Sequence, residues 1–302
     1  MKIGFIGLGN MGGPMCRNLI KGVNHEVVVH DLDPQAVAAC TSLGATAAGD
    51  LAELAATCEV IFTSLPTPRH VEQVVAGIAA AARPGTVVLD LSTNSPAVVQ
   101  RLSQGLSEKG VTLLDSPVTG GVARAEDASI VVMVGGDQAA YEAQLGLLQA
   151  FSGTQVHVGP VGSASVAKLM NNMLALCNAA VAAEGLAIAA AAGIDLAKLV
   201  EIIRNGSGNS AAFQGIANFA LKGNFKPRFA LDLAYKDLGL AVDLAAEHGV
   251  PGLVAPQVLN LMRMGRAMGM GAEDFGSVLQ VYEKLLGREV RITEEPSAGP
   301  VP

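Results

Sequence analysis

The first 160 or so residues alternate between short β-branched runs and Ala-rich stretches with helical spacing, and the alternation stops near Gly162. Lys2–Gly7, Glu26–His30, Val60–Leu65, Thr86–Leu91, Val111–Asp115, Ser129–Val134 and Gln155–Val158 read as strands. Pro14–Lys21, Pro34–Leu43, Arg69–Ala82 and Ala97–Lys109 are among the helical segments between them. Strands this continuously apolar are buried on both faces, which requires a mainly parallel sheet covered by helices. The expectation for residues 1–162 is therefore a doubly wound α/β domain. Beyond it only helical patterns remain: Ser165–Ala192, Asp195–Asn205, Ala212–Leu221, Leu231–His248, Pro256–Met268 and Phe275–Leu286. Residues 163–288 are expected to form an all-α domain, and the polar, Pro-containing residues 289–302 a mobile tail. A ligand cleft between the domains is the ordinary consequence of such a layout.

Composition narrows the partners. At 302 residues the chain exceeds the usual single domain, and with half of it hydrophobic and 16% charged it can bury a large core. A net charge of −7 without a basic run argues against nucleic acid, because phosphate backbones need clustered cations. A small anionic ligand needs only a locally positive pocket and stays open. Cys16, Cys40, Cys58 and Cys177 form no C-x-x-C pair and read as reduced thiols. The N-terminus reaches glycine too soon for a signal peptide. In the apolar Ser165–Ala192 segment the longest charge-free run, Leu169–Ala183, is 15 residues, short of the roughly 18–20 a membrane span needs. No membrane partner and a cytoplasmic location are expected. The five histidines show no ligand-spaced pair, so no metal is expected either.

Gly7-Leu8-Gly9-Asn10-Met11-Gly12 fits G-x-G-x-x-G. With 35 glycines in the chain, about half a match arises by chance, so the motif alone says little. Its setting says more. It follows a strand, opens a helix, and is followed by a second strand ending at Asp31, 19 positions after Gly12. That is the arrangement of a Rossmann-type dinucleotide site: Gly7 for the tight turn, Gly9 for backbone approach to the pyrophosphate, Gly12 for close packing, and Asp31 for the ribose hydroxyls. A plain strand-turn-helix with packing glycines is the alternative. A carboxylate at Asp31 followed by Leu32 rather than arginine favours NAD over NADP, since it repels a 2′-phosphate.

Lys168 and Asn172 stand four apart on one helical face. An ammonium in an apolar helix is penalised by desolvation, and the same penalty lowers its pKa toward a useful general acid–base range. The alternative is a helix-start lysine reaching into solvent. Ser165-Val166-Ala167-Lys168 with Ser207-Gly208-Asn209 also fits a serine acyl-transferase pattern, but that pattern's K-T-G element is absent.

Together these motifs resemble the β-hydroxyacid dehydrogenase family, which includes 3-hydroxyisobutyrate dehydrogenase and tartronate semialdehyde reductase. The resemblance covers roughly residues 1–286. Gly7–Met15 is similar to the family's extended dinucleotide signature, Asp115–Gly121 to its substrate loop, Gly159–Asn172 to its catalytic helix, and Lys236-Asp237-Leu238 to a cofactor-proximal motif. The resemblance implies Lys168 as the catalytic lysine and Asn172 as the residue that orients the substrate. It places Leu65, Pro66 and Thr93 along the nicotinamide side and Lys236 over the cofactor. It assigns Thr119, Gly120 and Gly121 to the substrate carboxylate, where consecutive small residues expose backbone N–H groups; a plain strand-end turn is the alternative. An i,i+4 ion pair of Lys236 with Asp232 is likewise the simpler account of that lysine. Two departures stand out: Thr119 replaces a usual serine, and Ala164 replaces a common second glycine before the helix. The implied activity is reversible NAD(P)-linked oxidation of a small 3-hydroxy carboxylate by a homodimer or homotetramer. An imine reductase or a non-catalytic NAD(P)-binding protein of the same architecture is the alternative, though those relatives typically lack the lysine.

Overall fold

A computed structural model describes residues 1–292. Nine strands form: β1 Lys2–Ile6, β2 Glu26–His30, β3 Thr46–Ala47, β4 Val60–Thr63, β5 Val87–Asp90, β6 Thr112–Asp115, β7 Val118–Thr119, β8 Ile130–Gly135 and β9 Ser152–Gly159. Seven helices interleave with them: α1 Gly12–Gly22, α2 Pro34–Thr41, α3 Leu51–Thr57, α4 Pro68–Ala81, α5 Pro96–Ser107, α6 Gly121–Glu126 and α7 Gln138–Gln149. The starts of α2, α4 and α5 are written into the chain. Asp33, Thr67 and Ser95 each accept a backbone N–H of the first turn, and a proline follows each of them.

The strands lie in the order β3-β2-β1-β4-β5-β6-β8-β7, with β9 on β8. The first six are mutually parallel, while β8 runs antiparallel to β6 and β7. The expected mainly parallel sheet is present, with a mixed far edge. Alternate strand residues feed two separate cores. Phe5, Phe62, Leu89 and Leu114 pack on one face with Phe151, and Ile61, Val88 and Leu113 pack on the other with Leu54, Val71 and Ile78. Burial on both faces is what continuous rather than alternating hydrophobicity demands. The two short strands β3 and β7 escape the sequence reading, because two residues carry no periodicity.

Beyond β9 the described residues form helices: α8 Ser163–Ala191, α9 Leu196–Asn205, α10 Ala211–Asn218, α11 Leu231–Glu247, α12 Ala255–Ala267 and α13 Val278–Leu286, with short 3-10 turns at Ala220–Lys222 and Phe275–Ser277. Their core gathers Ala179, Ala183 and Leu186 of α8 with Phe213, Leu238, Met262 and Val281. The chain divides into compact units at Leu169/Met170, inside α8 rather than at its start, where the sequence put the boundary. The first turns of α8 stay with the α/β unit because they are bonded to its sheet. By length and composition α8 is long and apolar enough to cross a membrane, although the charge-free count fell short, and 39% of its most apolar stretch is buried. Leu174, Val181 and Ile188, seven apart, are 59%, 60% and 63% exposed and form one apolar stripe.

Residues 290–292, expected to belong to a mobile tail, are anchored. Val290 is fully buried, Arg291 pairs with Glu283 and lies over the Phe225 ring, and the Ile292 N–H donates to the Leu221 carbonyl at 3.0 Å. An apolar residue and a paired arginine inside a polar stretch anchor them; residues 293–302 lie outside the described residues. Val290→Ala is expected to cost about 1–2 kcal/mol of stability, read as a lower urea midpoint with unchanged m-value.

Candidate active site

Because β1, β2, β4, β5 and β6 run parallel, the segments that follow them leave the sheet at one edge. Strand order reverses between β1 and β4, and the crevice outside such a switch point is where doubly wound sheets bind ligands. The glycine loop turns there. Gly7 has φ +91°, and a Cβ on it would sit 2.2 Å from the Ser64 carbonyl oxygen. A Cβ on Gly12 would sit 1.9 Å from the Gly7 carbonyl oxygen, so the loop closes on itself only without side chains. Over Gly9 the space is open, as a backbone that receives a ligand requires. Asp31 completes the cradle: the Leu8 N–H donates to one carboxylate oxygen at 2.5 Å and the Asp33 N–H to the other at 2.8 Å. Leu8, Gly9, Asn10, Arg17 and Asp31 line a cavity of about 330 Å³, while Met11 and Gly12 lead into α1. These residues fit a dinucleotide, and the structure brings the sequence-named set together.

Leu65 and Pro66 follow β4, and Thr93 follows β5. A buried carboxylate joins the two loops. The Thr63 hydroxyl and the Ser92 N–H donate to Asp90 at 2.8 and 3.2 Å, and the Leu65 N–H donates to the Ser92 hydroxyl at 2.9 Å. Burial pushes the Asp90 carboxyl above its ordinary pKa, and the hydrogen bonds from Ser92 and Thr63 oppose that.

Asp115 does the same at the end of β6. One oxygen accepts the Gly162 N–H at 2.9 Å; the other accepts the Ser165 N–H at 2.9 Å and the Ser165 hydroxyl at 3.1 Å. Ser165 is 1% exposed and engaged with Asp115, which removes the serine nucleophile of the acyl-transferase pattern. Gly162, at φ +95°, makes the turn into α8, and Ala164 is helical and fully buried, so a second glycine is not needed. Thr119 belongs to β7, opposite Val131 of β8, and Gly120 and Gly121 follow it exposed with φ of +136° and +76°.

Lys168 is half-buried on α8. One turn on, Asn172 is 6% exposed, its amide N–H donating to Asp237 of α11 at 2.6 Å while its oxygen accepts from Asn171 at 3.2 Å. The other Asp237 oxygen pairs with Lys236 at 2.9 Å. Asp232, the partner considered for Lys236 from spacing, pairs with Arg266 at 2.5 Å. Asp90, Ser92, Arg17 and the joining roles of Asp115 and Asp237 were not read from the sequence. A signal existed for two of them: Val87–Asp90 and Thr112–Asp115 are apolar strands ending in aspartate, paired in register.

Comparison with known proteins follows the same division. Residues 2–159 match the family described as the NAD binding domain of 6-phosphogluconate dehydrogenase, and residues 162–282 that described as NAD-binding of NADP-dependent 3-hydroxyisobutyrate dehydrogenase. The 2-(hydroxymethyl)glutarate dehydrogenase of Eubacterium barkeri is 38% identical over 96% of this chain and 97% of its own. The 3-hydroxyisobutyrate dehydrogenase of Pseudomonas aeruginosa is 34% identical over 93% and 98%. The crystal structure of 3-hydroxyisobutyrate dehydrogenase from Salmonella typhimurium superposes with a TM-score of 0.85 at 31% identity, covering 93% of this chain and 99% of that one. An imine reductase from Pseudomonas sp., at 19% identity and a TM-score of 0.60, shares the fold alone. With both parts of the chain matched and the relatives alike along nearly their whole length, the protein belongs to the 3-hydroxyisobutyrate dehydrogenase family and is an NAD(P)-dependent hydroxyacid dehydrogenase.

Proposed function

We propose that the protein reversibly oxidises a small 3-hydroxy carboxylate to its semialdehyde or ketone with NAD, using Lys168 as the general acid–base. The carrying observation is the α8 pair: a half-buried lysine one turn from an asparagine whose amide is locked by Asp237. The bound nicotinamide supplies hydride acceptance and return. Lys168 takes the hydroxyl proton in oxidation and gives it back in reduction. Asn172, fixed by its two neighbours, orients the substrate oxygen, and backbone N–H groups of Thr119, Gly120 and Gly121 hold the carboxylate. The added methyl of Thr119 narrows that end of the site. The same reading assigns Leu65, Pro66 and Thr93 to the nicotinamide half of the cofactor and gives Lys236 a role toward the cofactor. The relatives named for 2-(hydroxymethyl)glutarate and 3-hydroxyisobutyrate act on acids of this class.

Lys168→Ala should lower kcat by at least about a hundredfold on the best acid of a 3-hydroxy acid panel followed by NADH absorbance, with NAD affinity little changed. Near-normal turnover would remove Lys168 from the chemistry. A flat trace across the panel with intact NAD binding would favour imine reduction or a binding-only protein.

Preference for NAD rests on Asp31. Two backbone N–H groups hold its carboxylate at the cavity, Leu32 beside it is apolar and 93% exposed, and Arg17 lines the same cavity, so the preference rests on the carboxylate itself. In Asp31→Asn the ratio of NADP to NAD Kd, measured by fluorescence titration, should fall about tenfold, the effect of removing one like charge. An unchanged ratio would place discrimination elsewhere.

We also propose a homodimer or homotetramer, supported by the stripe of Leu174, Val181 and Ile188 on α8. Val181→Asp should shift the mass measured by light scattering toward the single chain. An unchanged mass would exclude this face.

A further inference from the structure

We propose that Asp115 is a positioning residue that sets where Lys168 stands, by clamping the first turn of α8 to the end of β6. The inference rests on the reading of Lys168 as the general acid–base. A helix start leaves backbone N–H groups without partners. In α8 the Ser165 N–H and, just before the helix, the Gly162 N–H are both taken by one side chain almost fifty residues earlier in the chain, at 2.9 Å each. The Ser165 hydroxyl adds a third bond at 3.1 Å. Both carboxylate oxygens are used, so the group is fixed in rotation as well as in place, and it is 1% exposed.

The surroundings are cut to fit it. A Cβ on Gly135 would lie 2.3 Å from the Asp115 oxygen that accepts Gly162, and Gly162 turns at φ +95° to present its N–H. A carboxylate at a helix N-terminus is also favoured by the helix dipole.

Lys168 follows Ser165 by three residues, one turn further on the neighbouring row of the helix. Helical side chains lean toward the N-terminus, so the lysine stem projects back over the turn that Asp115 holds. Fixing Gly162 and Ser165 thereby fixes the point and the Cα–Cβ direction from which the lysine stem leaves the helix. Asp115 is also the root of the segment that runs through Ser116 and Pro117 to Thr119. Thr119 has its own anchor in the pairing of β7 with β8, so loss of the clamp falls on the lysine more than on the carboxylate loop. A misplacement of about 1 Å at a reacting group lowers a rate by on the order of a hundredfold.

The test is steady-state kinetics on the full chain with NAD and the best acid of the panel, for Asp115→Asn, Ser165→Ala, Lys168→Ala and the Asp115→Asn/Lys168→Ala double variant. Asparagine keeps one acceptor and turns an amide N–H toward the donors on the other side. It should lower kcat about ten- to a hundredfold, with KM and NAD Kd within about threefold. Ser165→Ala, which keeps both amide bonds, should lower kcat by a few-fold with the same pattern, and it carries the test if the asparagine variant does not fold. Added to Lys168→Ala, Asp115→Asn should bring less than about a threefold further loss, because both act on one step. Full multiplication in the double variant, or a normal kcat in Asp115→Asn and Ser165→Ala while Lys168→Ala is inactive, would overturn the positioning role alone. Normal turnover in Lys168→Ala would instead overturn the reading beneath it.

Discussion

Parallel pairing of β1 with both β2 and β4 is the constraint on which the rest depends. Parallel strands all finish at one edge, so five separate segments deliver their next residues to the same place without any of them contacting the others in sequence. The cost of that arrangement is a set of loop ends with polar backbone to satisfy. The chain meets it with aspartates at strand ends. Asp31 takes the N–H groups of Leu8 and Asp33, Asp90 that of Ser92, and Asp115 those of Gly162 and Ser165. Each ties its strand end to the residues that follow it or to another segment, so carboxylates hold the edge together with the buried Leu8 and Leu91.

The division of labour between charge and burial follows from this. Asp90 and Asp115 are nearly inaccessible, and burial pushes both carboxyls upward in pKa while their hydrogen bonds pull the other way. Asp237 is equally buried but has a cation, Lys236, and an amide, Asn172, on its two oxygens. A buried charge so paired keeps the asparagine amide in one orientation, which a solvent-exposed partner would not do.

Much of this was readable from the chain and some was not, for identifiable reasons. Strands such as Glu26–His30 and the helices from α8 onward announce themselves by length and period. The dinucleotide loop is legible because three glycines, a helix and a distant acid occur in one order. The ends of elements blur: β4 stops at Thr63 rather than at Leu65, whose N–H bonds the Ser92 hydroxyl instead of a strand neighbour. The boundary placed before α8 misses because hydrogen bonds from Asp115, invisible to periodicity, bind that helix start to the sheet. Val290 and Arg291 look like tail in composition, and only their three-dimensional partners, Glu283 and Phe225, show otherwise. Helical spacing likewise points Lys236 to Asp232 and gives no sign of its ion pair with the adjacent Asp237 or of Arg266 from α12 on Asp232.

The glycine turn carries a further consequence. Its backbone is sealed so tightly at Gly7 and Gly12 that neither position tolerates a methyl group, whereas Leu32, next to Asp31, projects almost wholly into water. Substitution at Leu32 thus meets no packing barrier, while substitution in the turn meets a steric wall. A lineage built on this scaffold can vary position 32 without repacking anything, and cannot vary positions 7 and 12 without rebuilding the turn.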